Sequence, residues 1–163
     1  MREAASKIVS SEVLLQKLAE HKRCGESIVF ANGCFDILHV GHTRYLEGAR
    51  REGDILVVAV NSDSSVGGLK GAGRPVLDEN ARALLVAALR CVDYVVIFFE
   101  RTVETLLDQL RPDVHAKGTD YTAETVPERA TATRLGIRVA IVGDPKDHST
   151  RALFDSIRKA PHD

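Results

Sequence analysis

The chain has 163 residues, and we expect residues 11–163 to form one domain with a substantial core behind a loose segment at 1–10. Hydrophobic residues make up 44%, charged residues 28%, and the formal net charge is −1, so composition gives no electrostatic basis for binding nucleic acid or an anionic membrane. No apolar run approaches the roughly 18 residues of a membrane span, and the N-terminus is too polar for a secretory signal.

The three cysteines, Cys24, Cys34 and Cys91, are odd in number and form no CxxC pair. This pattern argues against a disulfide framework and against a cysteine-only zinc site. The reducing cytoplasm is therefore the expected compartment.

Helix and strand patterns alternate along the chain. In order, they predict a helix over 11–20, a strand over 27–31, a helix over 42–53, a strand over 54–61, a helix over 78–92, a strand over 94–99, a helix around 103–110, a strand over 113–117, a helix over 128–135, a strand over 137–143 and a helix over 149–159. Residues 62–75 are expected to form a loop with at most a short helix. The alternation predicts an α/β domain with about five parallel strands and helices on both faces.

Ligands of such sheets bind beyond the carboxyl ends of the strands, at the point where the strand order reverses. Four loops are predicted there, and they carry most of the glycine, histidine and small polar residues: 32–42, 61–75, 117–121 and 143–150. We expect the functional site to be built from these loops.

The segment His39-Val40-Gly41-His42 lies where the first strand passes into a helix. Histidines three residues apart face one side of a helical turn, and a helix N-terminus favours anions. Gly41 leaves room for a bulky group, so a phosphate is the favoured ligand. Two alternatives remain open from these residues: a metal site with Asp36 as the third ligand, and histidines that only cap the turn.

The residues just before this segment offer backbone amides to the same ligand. Gly33 permits close approach of a phosphate, and Cys34 and Phe35 follow it. Cys34 is more plausible as a small packed residue than as a nucleophile, since no second cysteine or local charge accompanies it. Asp36 is expected to orient a histidine or to cap the turn.

The second loop holds two cations among glycines. Lys70 can close over phosphates and neutralise their charge, although a solvated lysine is the plain alternative, and Arg74 follows it. The glycines do not form the G-x-G-x-x-G pattern, which excludes a dinucleotide fingerprint. Arg82 lies on an otherwise apolar helix, so it needs a partner and is expected to point toward the site or a subunit interface.

The last two loops are polar. Lys117 ends a predicted strand, and Gly118, Asp120 and Tyr121 follow it. Together they could bind a nucleotide or a hydroxyl-rich substrate. Ser149 and Thr150 open the last helix, where two hydroxyls either cap the helix or hold a phosphate.

A family resemblance rests on the segments FANGCFDILHVGHTRYLEGARREGDILVVAVNSDSSVGGLKGAGRPV, RCVDYVVIF, KGTDY and HST, which occur in this order between about Ser27 and Ile157. They resemble the cytidylyltransferase-like nucleotidyltransferases with an H-x-G-H motif and, among them, the adenylyltransferases that act on heptose 1-phosphate. Two positions depart from the family pattern: Arg151 replaces a third hydroxyl, and Thr119 stands where glycine or aspartate is usual.

The resemblance implies a single Rossmann-like nucleotidyltransferase domain and a reaction. ATP and D-glycero-β-D-manno-heptose 1-phosphate would give ADP-heptose and pyrophosphate for the lipopolysaccharide inner core, with Mg²⁺ carried by ATP and no dedicated protein metal site. The chain is too short to include a sugar-kinase domain, so it resembles the stand-alone form, and the family is commonly homodimeric. The alternatives are a related enzyme such as a glycerol-3-phosphate cytidylyltransferase and a non-catalytic nucleotide-binding module.

The resemblance also implies residue roles. The expected catalytic residues are His39, His42 and Lys70. The expected nucleotide-binding residues are Gly33, Cys34, Phe35, Gly41, Lys117, Gly118, Ser149 and Thr150. The expected substrate-binding residues are Asp36, Asn61, Asp63, Arg74, Arg82, Asp120 and Tyr121.

Overall fold

The computed structural model describes residues 3–144 and 150–159, without the side chains of 151 and 152. Within these residues the elements are α1 (Ser11–Arg23), β1 (Ile28–Gly33), α2 (Val40–Arg50), β2 (Ile55–Asn61), α3 (Asp63–Lys70), α4 (Glu79–Ala87), β3 (Tyr94–Phe98), α5 (Glu104–Leu110), β4 (Val114–Gly118), α6 (Arg129–Leu135), β5 (Arg138–Val142) and α7 (Thr150–Lys159). None of these helices has the length and apolar character needed to cross a lipid bilayer.

The five strands form one parallel sheet in the order β3-β2-β1-β4-β5. The central strands are buried along most of their length, which explains their near-continuous apolar runs. The chain leaves β1 toward β2 and β3 and later returns to place β4 on the other side of β1. The order therefore reverses between β1 and β4, where a ligand cleft is expected.

Helices cover both faces of the sheet, as predicted. Alternate strand residues point to opposite faces, so Val29 packs with Leu46 of α2 and with α4, whereas Phe30 packs with Leu14 of α1 and with α5 and α6. The α/β prediction is confirmed.

The segment 62–75 contains the short helix that the sequence allowed, the eight-residue α3, whose first turn is capped by the Ser62 side chain accepting from the Ser65 amide. One helix prediction needs adjustment. The helix expected over 78–92 ends at Ala87. Lys7 Nζ donates to the carbonyls of Leu89 and Val92, at 3.2 and 2.7 Å, and so supports the irregular turn that replaces the last part of the helix.

The N-terminal segment makes defined contacts from residue 3 onward. A short 3₁₀ turn covers Ala5–Lys7, and Ile8 forms a bridge with Val95 of β3. These contacts attach the segment to the sheet, and its mobility stays a prediction.

His115 is a fully buried histidine, the second residue of β4. Its Nε2 lies 3.1 Å from Asn32 Oδ1, and its ring contacts the Phe30 ring. Burial, and secondarily the positive charge of Lys117, lowers the pKa of His115 to about 3. The imidazole is therefore neutral in the folded protein at neutral pH.

We predict that His115 destabilises the fold in mild acid. Between about pH 6.5 and pH 3 the unfolded chain protonates this histidine and the folded chain does not, so the free energy of unfolding falls as pH drops. His115→Gln removes this titration, and between pH 7 and pH 5 its free energy of unfolding should fall by about 2 kcal/mol less than that of the wild type. Urea denaturation at both pH values measures this difference, and equal losses in the two proteins would contradict it.

Candidate active site

A cleft of about 660 Å³ opens at the carboxyl ends of the strands, where the strand order reverses. Its lining includes residues from all four loops that the sequence singled out. Thirteen of the predicted site residues line it: Gly33, Cys34, Phe35, His39, Gly41, His42, Asn61, Lys70, Lys117, Gly118, Asp120, Tyr121 and Thr150. Ser149 lies outside the described residues.

His39 and His42 form a stacked pair at the start of α2. Their ring centroids are 3.9 Å apart, with 29° between the ring planes. His39 is the N-cap of the helix, and the two side chains form a capping box: the Gly41 amide donates to His39 Nδ1 at 3.1 Å, and the His39 amide donates to His42 Nδ1 at 3.4 Å. Both histidines thus cap the helix and line the cleft.

The capping bonds determine which nitrogen of each ring carries the proton. A ring nitrogen that accepts a hydrogen bond has no proton, so each neutral imidazole holds its proton on Nε2. The two Nε2–H groups, together with the amide groups of the first turn of α2, are donors suited to phosphate oxygens.

The loop that leads to this pair is held in an unusual backbone conformation. Phe35 and Ile37 have φ values of +49° and +60°, a region that side-chain-bearing residues seldom adopt. The Phe35 ring is buried and lies 5.3 Å from the His42 ring. A Cβ atom on Gly33 would lie 3.1 Å from the Phe35 ring, so glycine at this position lets the ring pack beneath the histidines.

Cys34 has the properties of a packed residue. Burial raises the pKa of its thiol, although the charges of Lys70 and Arg82 oppose that effect. The reactive thiolate is therefore scarce at neutral pH, which argues against a nucleophilic role. The Cys34 carbonyl accepts a 2.6 Å hydrogen bond from Arg82.

Asp36 is a buried carboxylate that binds the loop before α4. Its oxygens accept from Arg74 Nη1 at 2.8 Å, from the Val76 amide at 2.9 Å and from the Leu77 amide at 3.3 Å. Burial alone would raise its pKa, but the Val76 amide and the Arg74 guanidinium stabilise the carboxylate and hold the pKa below its usual value. These three bonds direct the carboxylate to the loop before α4, and Asp36 is not among the residues that line the cleft beside the histidines in the described part of the chain. No group of three His, Cys, Asp or Glu side chains suited to a metal occurs in the described part of the chain.

Arg82 is a fully buried arginine that joins three segments. It donates to the Leu77 carbonyl, to the Cys34 carbonyl and to Asp63 Oδ1, at 2.9, 2.6 and 2.7 Å. The partner that the sequence required for this charge is therefore Asp63, at the start of α3.

Four of the predicted substrate-binding residues do not belong to the described lining of the cleft: Asp36, Asp63, Arg74 and Arg82. They connect the loop before α2 to the segment between β2 and α4. Their direct contact with substrate stays a prediction, which this placement does not favour.

Helix α7 approaches the same network from the other side. The Thr150 hydroxyl donates to the Asp36 carbonyl at 3.1 Å, and the Arg74 guanidinium lies 4.2 Å from the centre of the Phe154 ring. Thr150 is thus placed beside both the cleft and the loop before α2.

The end of β4 forms a second polar part of the cleft. Lys117 donates to Asn32 Oδ1 at 3.3 Å, lies 3.0 Å from Glu128 Oε2 and stands 5.1 Å from the centre of the Tyr121 ring. Thr119, one of the departures from the family pattern, donates its hydroxyl to the Asp144 carbonyl at 2.8 Å.

Several residues that line the cleft were not among the predicted site residues, including Asn32, Arg101 and Glu128. Asn32 ends the first strand beside Gly33, so its position could have indicated it. Glu128 is the first residue of a predicted helix and belongs to no motif, so nothing in the sequence marked it as a site residue.

We predict that Arg82 is a major contributor to stability. Arg82→Met keeps much of the buried volume but leaves the carbonyls of Cys34 and Leu77 without their donor, so the free energy of unfolding should fall by about 3 kcal/mol. Arg134→Met is the control, because the ion pair of Arg134 with Asp108 is exposed and its loss should change stability by less than about 1 kcal/mol. Urea denaturation measures both, and equal effects would contradict the assignment.

The similarities of this chain to known proteins agree on one family. The cytidylyltransferase-like family model matches residues 30–156. The chain is 47% identical over 152 residues to the bifunctional protein HldE of Syntrophotalea carbinolica, covering 93% of this chain and 31% of that protein. It is 44% identical over 158 residues to the HldE of Geobacter sulfurreducens, covering 97% of this chain and 32% of that protein. The chain thus spans about a third of the length of these relatives.

A solved structure supports the same conclusion. The lipopolysaccharide core biosynthesis protein from Thermoplasma volcanium superposes with a TM-score of 0.64 at 28% identity, covering 75% of this chain and all of that one. The match of most of the chain to the family model, together with the histidine pair at the strand-order reversal, shows that this chain belongs to the cytidylyltransferase-like family of nucleotidyltransferases.

Proposed function

We propose that the chain transfers the adenylyl group of ATP to D-glycero-β-D-manno-heptose 1-phosphate, giving ADP-heptose and pyrophosphate. The observation that carries the proposal is the stacked pair of His39 and His42 at a helix N-terminus in the cleft, whose capping bonds place the ring proton of each neutral imidazole on Nε2. The sequence resemblance to heptose 1-phosphate adenylyltransferases and the name of the Thermoplasma neighbour support a lipopolysaccharide-core sugar as the acceptor.

In the proposed reaction, a phosphate oxygen of the sugar 1-phosphate attacks the α-phosphorus of ATP. A new P–O bond forms, the bond from the α-phosphorus to the bridging oxygen breaks, and pyrophosphate leaves with the electron pair of that bond. Negative charge builds up on the oxygens around the α-phosphorus and on the leaving group. Donors already held in place stabilise such charge without rearranging during the reaction.

The residues take complementary roles in this proposal. His39 and His42 donate from Nε2 to the phosphate oxygens, while Lys70, at the end of α3, brings a positive charge to the same cleft. Mg²⁺ enters as part of the MgATP substrate and neutralises phosphate charge. Lys117, Gly118 and Thr150 border the cleft where the nucleotide would lie.

A cytidylyl transfer to glycerol 3-phosphate is the second candidate, because the family model itself is named for cytidylyltransferases. A non-catalytic nucleotide-binding module is the third, and it predicts binding without turnover. The proposal has three further parts: the enzyme is of the stand-alone form, it is a homodimer, and it works in the cytoplasm.

Pyrophosphate release distinguishes the three candidates. The protein is incubated with Mg²⁺, one of ATP, CTP or GTP, and a panel of phosphorylated acceptors that includes heptose 1-phosphate and glycerol 3-phosphate. We expect release with ATP and heptose 1-phosphate. Release only with CTP and glycerol 3-phosphate would support the second candidate, and tight nucleotide binding without release would support the third.

We predict that His42→Ala lowers kcat by about 10²- to 10³-fold, the usual effect of removing a donor that stabilises transition-state charge. His21→Ala serves as the control, because His21 contacts Tyr94 at the opposite end of the sheet and should leave kcat unchanged in folded protein. Steady-state pyrophosphate release measures kcat for both variants. A near-normal kcat in His42→Ala would mean that this histidine serves only to cap α2.

A further inference from the structure

Glu128 is a buried carboxylate on the wall of the cleft that no part of the proposed mechanism uses. Only 4% of the residue is exposed, and it lines the same cavity as the histidine pair. It occupies the N-cap position of α6, yet its side chain makes no capping hydrogen bond there. Capping of α6 therefore does not explain why a carboxylate is buried at this position.

Lys117 does not fully satisfy this carboxylate. Its Nζ lies 3.0 Å from Glu128 Oε2, which is an ion-pair distance, but Oε2 receives no well-aligned hydrogen bond from any residue within 3–144 or 150–159. The ammonium is shared, because it also donates to Asn32 Oδ1 at 3.3 Å. A buried carboxylate oxygen without an aligned donor is unfavourable, so this carboxylate at the cleft wall would be stabilised by a further donor.

The chemistry of the carboxylate limits what can fill that position. A phosphate would be repelled by the negative charge, so the phosphates of both substrates belong elsewhere, near the histidines and Lys70. A hydroxyl group is a neutral donor that binds well to a carboxylate. Both proposed substrates carry such hydroxyls, one set on the ribose of ATP and the other on the acceptor sugar.

We propose that Glu128 accepts a hydrogen bond from a sugar hydroxyl of a substrate and so helps to determine which substrate the cleft takes. This inference rests on the proposed function, since that function supplies the two hydroxyl-bearing ligands. Lys117 holds the carboxylate in position through the ion pair, and the hydroxyl supplies the carboxylate with a further donor from the cleft.

A purely structural role makes a different prediction. If Glu128 serves only to neutralise Lys117, its removal changes the affinity for every ligand by the same factor, whether or not the ligand has the hydroxyl. If Glu128 binds a hydroxyl, its removal abolishes the preference for the ligand that carries that hydroxyl. The discrimination between paired ligands, rather than the affinity itself, therefore separates the two roles.

Calorimetric titration of the whole chain measures this discrimination. The ligand pairs are MgATP against its 2′-deoxy and 3′-deoxy analogues, and heptose 1-phosphate against its monodeoxy analogues. In the wild type, loss of the hydroxyl that Glu128 binds should raise Kd by about 10- to 100-fold, the usual value of a hydrogen bond to a charged group. In Glu128→Ala the same pair should bind with nearly equal Kd.

The pair that loses its discrimination identifies the source of the hydroxyl, ribose or acceptor sugar. Discrimination that is unchanged in Glu128→Ala for all pairs would overturn the proposal. Glu128→Gln keeps the size of the side chain and should show reduced discrimination, so it replaces the alanine variant if the latter does not fold. Glu124→Gln, an exposed change in the same connection between β4 and α6, should behave as the wild type.

These titrations need no turnover, so they also separate this inference from the proposed function. If no pyrophosphate is released but Glu128 still determines a preference between ATP and a deoxy analogue, the reaction is rejected and the hydroxyl contact is not. Release at a normal rate without any Glu128-dependent preference would reject the contact but not the reaction.

Discussion

The arrangement of the cleft depends on the hydrogen bonds that cap the first turn of α2. The amides of His39 and Gly41 donate to the Nδ1 atoms of His42 and His39, and these two bonds orient both rings and place the ring protons on Nε2. The same bonds satisfy backbone donors that the start of a helix would otherwise leave open. One local structure thus stabilises the helix and prepares two donors for an anion.

Contacts around the loop before α2 hold this helix cap in position. Phe35 packs against the His42 ring, and its positive φ is held by surrounding contacts. Asp36 and Arg82 connect the loop before α2 to the segment between β2 and α4, with most of their polar atoms bonded. Rigid support of this kind lets donors act on developing charge without reorganising. Asp36, Asp63, Arg74 and Arg82 thus support the loop that carries the histidines, and their contact with substrate stays a prediction.

Most of the fold could be predicted from the sequence, because strands and helices arise from local or periodic patterns of residues. The apolar runs of β1 and β2 indicated strands covered on both faces, and the H-x-G-H spacing brought His39 and His42 together as expected. Parallel strands end at one edge, so the four loops met there. Burial of Asp36 could not be predicted in the same way, because its hydrogen-bond partners lie 38–41 residues away in the sequence.

The central claim is that the helix cap holds both histidines with Nε2–H directed to nucleotide phosphates. Long-range ¹H–¹⁵N NMR of histidine-labelled protein reports the tautomer of each ring, and His39→Ala and His42→Ala assign the signals. The account predicts the Nε2–H tautomer for both rings at neutral pH and a change in both Nε2 signals when MgATP is added. An Nδ1–H tautomer in either ring, or Nε2 signals that do not respond to saturating MgATP, would contradict it.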